Sequence, residues 1–239
     1  VSRFWVILQK DLKASWSEGL FLLIILWAPV ASAITRWLVG VLGGDMATLG
    51  PRMVPMWLSM NTIVMGVMLL AMLFIMEKEH GTMAALRLTP LTLAELVSAK
   101  LTISLFISVA SAISLVLLNV GAVNIPELTV ISLAGMLFAL AVGLLAAQFA
   151  TNMMQFMVSV RLLMLPLMVP AILHFFPHVQ ADWLKVIPTY FLIRASSQVV
   201  VHGASLSDVA GDIGMMLLQG TVLLFVTIVI IAKRDRRPS

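Results

Sequence analysis

Residues able to do chemistry gather in a few places along this chain. His174, His178 and Asp182 stand at i, i+4 and i+8, a spacing that sets three metal-ligand types on one helix face. Pro177 interrupts that helix and only the remote His202 offers a fourth ligand, so interfacial polar residues are expected and no metal site. Met56, Met60, Met65, Met68, Met72 and Met76 recur through one apolar stretch that also holds Asn61. Thioether side chains are flexible and polarizable, so this stretch suits gap-filling between helices or an adaptable pocket for apolar ligands. Arg161 sits near the end of another apolar stretch, where it reaches headgroups or pairs inside a cavity. Met56, Met60, Met65, Met68, Asn61 and Arg161 are therefore the candidate substrate-path residues. Asn119, Asn152 and Gln148 read as interhelical hydrogen-bonding groups.

Catalytic constellations are missing. The chain has no His-Glu-x-x-His, no Gly-x-Ser-x-Gly and no Gly-x-x-x-x-Gly-Lys-Ser/Thr. It is not expected to be an enzyme, to carry a cofactor, or to bind ATP through a P-loop of its own. None of its 11 acidic residues falls in the middle of an apolar stretch, which weighs against a proton- or sodium-coupled carrier. Cysteine is absent, so disulfides and thiolate metal sites are excluded.

The elements that must position these residues are membrane helices. Hydrophobic residues make up 61% of the 239 and charged residues 11%, with a mean hydropathy of +1.08. Soluble domains carry roughly 25% charge. Six stretches approach the roughly 20 apolar residues that a span needs: 20–42, 54–76, 101–121, 128–150, 156–176 and 213–232. Pro29 should kink the first, and Pro166 with Pro170 should kink or break the fifth. Residues 43–55 read as a turn-rich loop, and Asn124-Ile125-Pro126 as a tight turn. Residues 1–18 are amphipathic, with Trp5, Leu8, Leu12 and Trp16 opposite Arg3, Lys10 and Lys13, and suit the headgroup layer. Lys10, Asp11, Lys13 and Glu18 argue against a cleavable signal peptide. Residues 175–212 are too polar to span yet hold apolar clusters. Short helices dipping into the membrane face are expected there, packed on protein.

Lysine and arginine orient the chain. With both termini cytoplasmic, eleven of the fifteen fall inside and four (Arg36, Arg52, Lys185 and Arg194) outside. The net charge of +4 sits at helix ends, not on a nucleic-acid-binding face, so no nucleic-acid partner is expected. This orientation puts Met76–Lys100 in the cytoplasm. That stretch has an ordered grammar: the charge run Glu77-Lys78-Glu79-His80, a Gly81-Thr82 break and a short helix-forming Met83–Leu88. Pro90 then stops the helix, and the capping box Thr92-x-x-Glu95 starts the next one.

The series Glu77-Lys78-Glu79-His80-Gly81-Thr82, then Leu86, Thr89-Pro90-Leu91 and Lys100, resembles the signature after the second span of ABC-2-type permeases. These are the membrane subunits of ATP-binding-cassette exporters. The layout is similar over residues 1–239: an interfacial helix at 1–18, six spans, and an outer re-entrant insert at 175–212. The resemblance implies an all-α integral membrane domain whose residues 77–91 form a coupling helix. That helix would seat on a cytoplasmic ATPase subunit, present in two copies and holding ATP and Mg2+. Glu77, Lys78, Glu79, His80, Gly81, Thr82, Met83, Leu86, Arg87, Leu88, Thr89 and Pro90 would make the contact. Glu79 and Arg87 would be its charged members, and Met83, Leu86 and Leu88 its apolar anchors. It further implies a second permease chain, identical or related, in a cell membrane, and export of a hydrophobic or amphipathic small molecule such as a drug or lipid. Spans one, two and five, with the outer insert, would line or gate the path. An ion-coupled carrier and a scaffold recruiting a cytoplasmic partner are the readings that compete with it.

Overall fold

The computed structural model describes residues 20–69, 93–121, 124–176 and 182–235, with Trp5, Leu8, Gln9, Lys10, Lys13, Met72 and Ile75. Among the described residues every regular element is helical. Seven α-helices follow in order: α1 (Leu20–Val41), α2 (Met46–Asn61), α3 (Leu93–Asn119), α4 (Ile125–Phe149), α5 (Met153–Leu173), α6 (Pro188–His202) and α7 (Ala210–Asp235). A π-helical segment, Thr62–Leu69, continues α2, and a 3-10 turn, Asp182–Val186, precedes α6. Within α3, α4, α5 and α7, four stretches are long and apolar enough to cross a membrane: Ser98–Asn119, Ile125–Phe149, Met153–Leu173 and Ala210–Ile230.

α4 is the centre of the bundle. It packs against α3, α5, α6, α7 and the π segment. Small residues let its neighbours approach closely, because a helix without bulky side chains brings its backbone to van der Waals distance. At Gly143 an added Cβ would lie 3.0 Å from the carbonyl oxygen of Val67, and at Gly66 one would lie 2.6 Å from the Cβ of Ala139. Phe138, Ala139, Val142 and Ala146 of α4 form a core with Ile63, Val67, Leu192 and Met216. A second core joins α1, α2 and α3 through Ala28, Ala31, Trp57, Leu58, Leu115 and Val116.

Several boundaries differ from those read off the sequence. The loop expected over 43–55 is short, because α2 begins at Met46 and runs through Pro51 and Pro55. Asp45 stands at the N-cap position, and its carbonyl accepts from the amides of Thr48 and Leu49. Ile125 and Pro126 open α4 instead of making a turn, since a proline in the first helical turn gives up no intrahelical bond. α5 continues unbroken through Pro166 and Pro170, and α1 through Pro29. α3 is described from Leu93, so it extends at least eight residues ahead of the apolar run at 101; Thr92 of the capping box lies outside the described residues. Between α4 and α5, Asn152 Oδ1 accepts from the Gln155 amide at 2.9 Å. Gln155 Oε1 in return accepts from the Thr151 amide and hydroxyl, a reciprocal cap. In the 175–212 region a single 15-residue helix, α6, dominates. It packs against α2, α4, α5 and α7.

Candidate functional site

The residues expected to meet an ATPase, Glu77 to Pro90, lie outside the described residues, as does His178. Flanking that stretch, Ile75 and Lys100 are fully buried. Residues 1–18 are described at five positions; of these Leu8 packs on the cluster of Met65, Ile103 and Ile107.

The substrate-path candidates fall into two groups. Asn61 and Met65 are buried where α2 passes into the π segment; Met56 and Met60, one turn apart, are half-buried against the α1–α3 core. Met68 belongs to the π segment. Arg161 lies elsewhere, exposed on α5 beside the exposed Val158, Leu162 and Leu165.

Around Asn61 the interior is polar to a degree the sequence does not announce. Its Nδ2 donates to the Ser108 carbonyl at 3.0 Å, tying α2 to α3. Asn61 Oδ1, the hydroxyls of Ser104, Ser108 and Ser111, and the indole N–H groups of Trp27 and Trp57 find no hydrogen-bond partner among the described residues. The two tryptophans meet edge to face with ring centroids 6.1 Å apart. Each buried polar atom without a partner costs roughly 1–3 kcal/mol, so this seam is unlike an ordinary packing core. It also coincides with eight residues of π-helix, a geometry that is rare beyond a single turn and is frequently found at functional sites.

A second site lies beside α6, between the end of α5 and the corner where α1 ends and α2 begins. A cavity of about 360 Å3 is lined by Pro170, Leu173, His174, Leu184, Tyr190, Ile193, Arg194, Ser197, Gln198 and His202. Another of about 480 Å3 is lined by Leu42, Leu49, Arg52, Met53, Phe175 and Val201, together with His174, Ser197 and His202. The two thus share a polar trio on α6 and at the end of α5. Burial holds the His174 imidazole below the ordinary histidine range, and a hydrogen bond to the backbone of Arg52 opposes that only in part. Arg194 Nε pairs with Asp212 Oδ2 at 3.4 Å, joining α6 to α7. Thr189 donates to the Leu167 carbonyl at 2.7 Å, and Gln219 to that of Lys185 at 2.7 Å, so α6 and the 3-10 turn are pinned to both neighbours. Asp182 and Lys185 form an exposed ion pair at 2.6 Å that draws the carboxyl below, and the amine above, their usual values. Of the residues grouped by spacing, His174 joins this cavity while Asp182 pairs with lysine. Among the described residues no cluster suited to a metal ion occurs. Sequence spacing could not have found the cavity, because its lining comes from three separate stretches.

The family model described as "Fluoroquinolones export permease protein Rv2686c-like" matches residues 14–231. That match is consistent with the ABC-2-type resemblance. No curated protein and no solved structure matches the chain.

Proposed function

The chain belongs to the Rv2686c-like fluoroquinolone export permease family, and we propose that within it the chain is the non-catalytic membrane half of an ATP-driven exporter. The family match over residues 14–231 carries this reading. The Glu77–Pro90 signature supplies the mechanism. A chain without a P-loop takes its energy from a partner, and the stretch after the second span is where that partner seats. On this reading two ATPase subunits, with ATP and Mg2+, work on two permease chains. The six spans at 20–42, 54–76, 101–121, 128–150, 156–176 and 213–232 leave both termini in the cytoplasm, and the 175–212 insert lies outside. The cargo is a hydrophobic or amphipathic small molecule of the fluoroquinolone kind. It passes along Met56, Met60, Asn61, Met65 and Met68, with Arg161 on the α5 face.

The buried seam at Asn61 supports such a path, because polar atoms without protein partners suit a passage for a partly polar molecule. α2 and the π segment, 16 and 8 residues long, span roughly 35 Å between the α1–α2 corner and the approach to the coupling stretch.

The test is purification in mild detergent followed by transport in sealed vesicles. A P-loop ATPase should co-purify, and paired Glu79→Lys and Arg87→Glu substitutions should release it and abolish ATP-dependent fluoroquinolone efflux. Efflux by the permease alone without ATP, or driven by an ion gradient, would overturn the proposal. So would ATP turnover in the complex with neither drug stimulation nor flux.

A further inference from the structure

The two cavities beside α6 have a lining whose chemistry is one-sided. Arg52 and Arg194 bring two guanidiniums, and His174 and His202 two imidazoles. Ser197 adds a hydroxyl, while no carboxylate lines either lobe among the described residues. Asp212, which lines neither lobe, pairs with Arg194 at Nε, 3.4 Å away. Away from the shared trio both lobes turn apolar, with Leu173, Tyr190 and Ile193 on one side and Leu42, Met53 and Phe175 on the other. Each volume lies within the roughly 300–1,000 Å3 typical of small-molecule sites.

We propose that this two-lobed cavity binds the carboxylate of an aromatic amphiphile. Arg52 and Arg194 supply the charge, Ser197 and His202 hydrogen-bond the carboxylate oxygens, and the apolar lobes take the ring system. A lining that carries guanidiniums and no carboxylate attracts an anionic headgroup, so charge selects the end of the ligand that enters. The guanidinium geometry favours a planar, two-oxygen acceptor. Because α6 is tied to α5 through Thr189 and to α7 through Arg194, the groups are held in place before a ligand arrives. This inference rests on the exporter reading and names the chemistry of its cargo at one end of the bundle.

The experiment measures binding of norfloxacin and of its methyl ester to the full chain in nanodiscs, by drug fluorescence and without ATP or the partner. The acid should bind roughly tenfold or more tightly than the ester, the scale of one charge-assisted hydrogen-bonded contact. That preference should collapse in Arg52→Gln and in Ser197→Ala, neither of which touches the Arg194–Asp212 pair, and survive in Arg194→Lys. Equal binding of acid and ester, or a preference unchanged in both Arg52→Gln and Ser197→Ala, overturns the proposal. A loss of acid preference on moving from zwitterionic to anionic lipid, with both arginines intact, would assign the cavity to a lipid phosphodiester and overturn it equally. The two readings fail separately. Drug binding with ester discrimination but no ATP-driven flux removes the exporter reading alone, whereas flux with no discrimination removes this site alone.

Discussion

Replacing Gly66 by alanine tests how tightly the π segment is held against α4. The new methyl would sit 2.6 Å from the Cβ of Ala139 and 2.9 Å from the Met136 sulfur. Met136 can rotate aside, since its thioether chain is flexible. The Ala139 methyl cannot, because it is fixed to the backbone. The carbon–carbon contact falls short of the roughly 3.5–4.0 Å optimum by about 1 Å. The two backbones must part by that amount, and Gly143, whose missing Cβ leaves room for the Val67 carbonyl, lies within the same seam. Overpacking of this kind costs roughly 1–3 kcal/mol. Ala139→Gly removes the opposing methyl, so the pair Gly66→Ala with Ala139→Gly should recover most of the loss, giving a coupling of about 1 kcal/mol or more in a double-mutant cycle. The assay is denaturant unfolding in detergent micelles, followed by tryptophan fluorescence. Gly66→Ala as stable as the parent, or equal destabilisation with and without Ala139→Gly, would refute the close-approach argument.

Three further outcomes are expected. Arg194→Ala should cost about 2 kcal/mol, because it strands the buried Asp212 carboxylate. Asp212→Asn should cost less than half as much, since the half-exposed Arg194 stays hydrated; comparing unfolding midpoints decides it, and equal losses would contradict the burial argument. His174 favours its neutral form in the folded chain, so its contribution to stability is complete above its unfolded pKa of about 6.5 and drains away as pH falls through the lowered folded value. Melting temperature should therefore drop between pH 7.5 and 5, and His174→Gln should flatten that slope. Asn61→Ala removes one interhelical hydrogen bond, a loss of roughly 1 kcal/mol in a membrane bundle. Drug efflux should fall far more than that stability change explains if the seam lines the path, and a purely structural Asn61 would leave efflux intact.

Much of the architecture was legible because apolar runs in this chain have one use. The helices α4, α5 and α7 lie within a few residues of their expected places. Prolines misled at 43–55, where Pro51 and Pro55 look like breakers; in a membrane bundle neighbouring groups satisfy the backbone atoms they free. α6 was the harder case. Thr189, Arg194, Ser196 and Gln198 make it look like a surface segment, yet Thr189 and Ser196 are fully buried. Partners far along the chain, Leu167 for Thr189 and Asp212 for Arg194, pin the helix in place, and no local pattern encodes them. The Glu77–Pro90 motif stands out in the sequence because its charges interrupt a greasy run, and it lies outside the described residues. The basic cavity was invisible, since Arg52, His174 and Arg194 share no spacing.

The central position of α4 bears on how the chain reaches its final form. α4 is covered on one side by α7, which is made after it, so for a time during synthesis that side lacks its partner. Its surface there carries the Leu137 side chain, which acyl chains solvate as readily as protein does. Thr227 of α7 brings its own hydroxyl bond to the Leu223 carbonyl and needs none from α4 before docking. Insertion and packing are thereby separable: each span can wait in the bilayer at little cost. α7 then locks against α4 by fit between surfaces, without a drive to escape water.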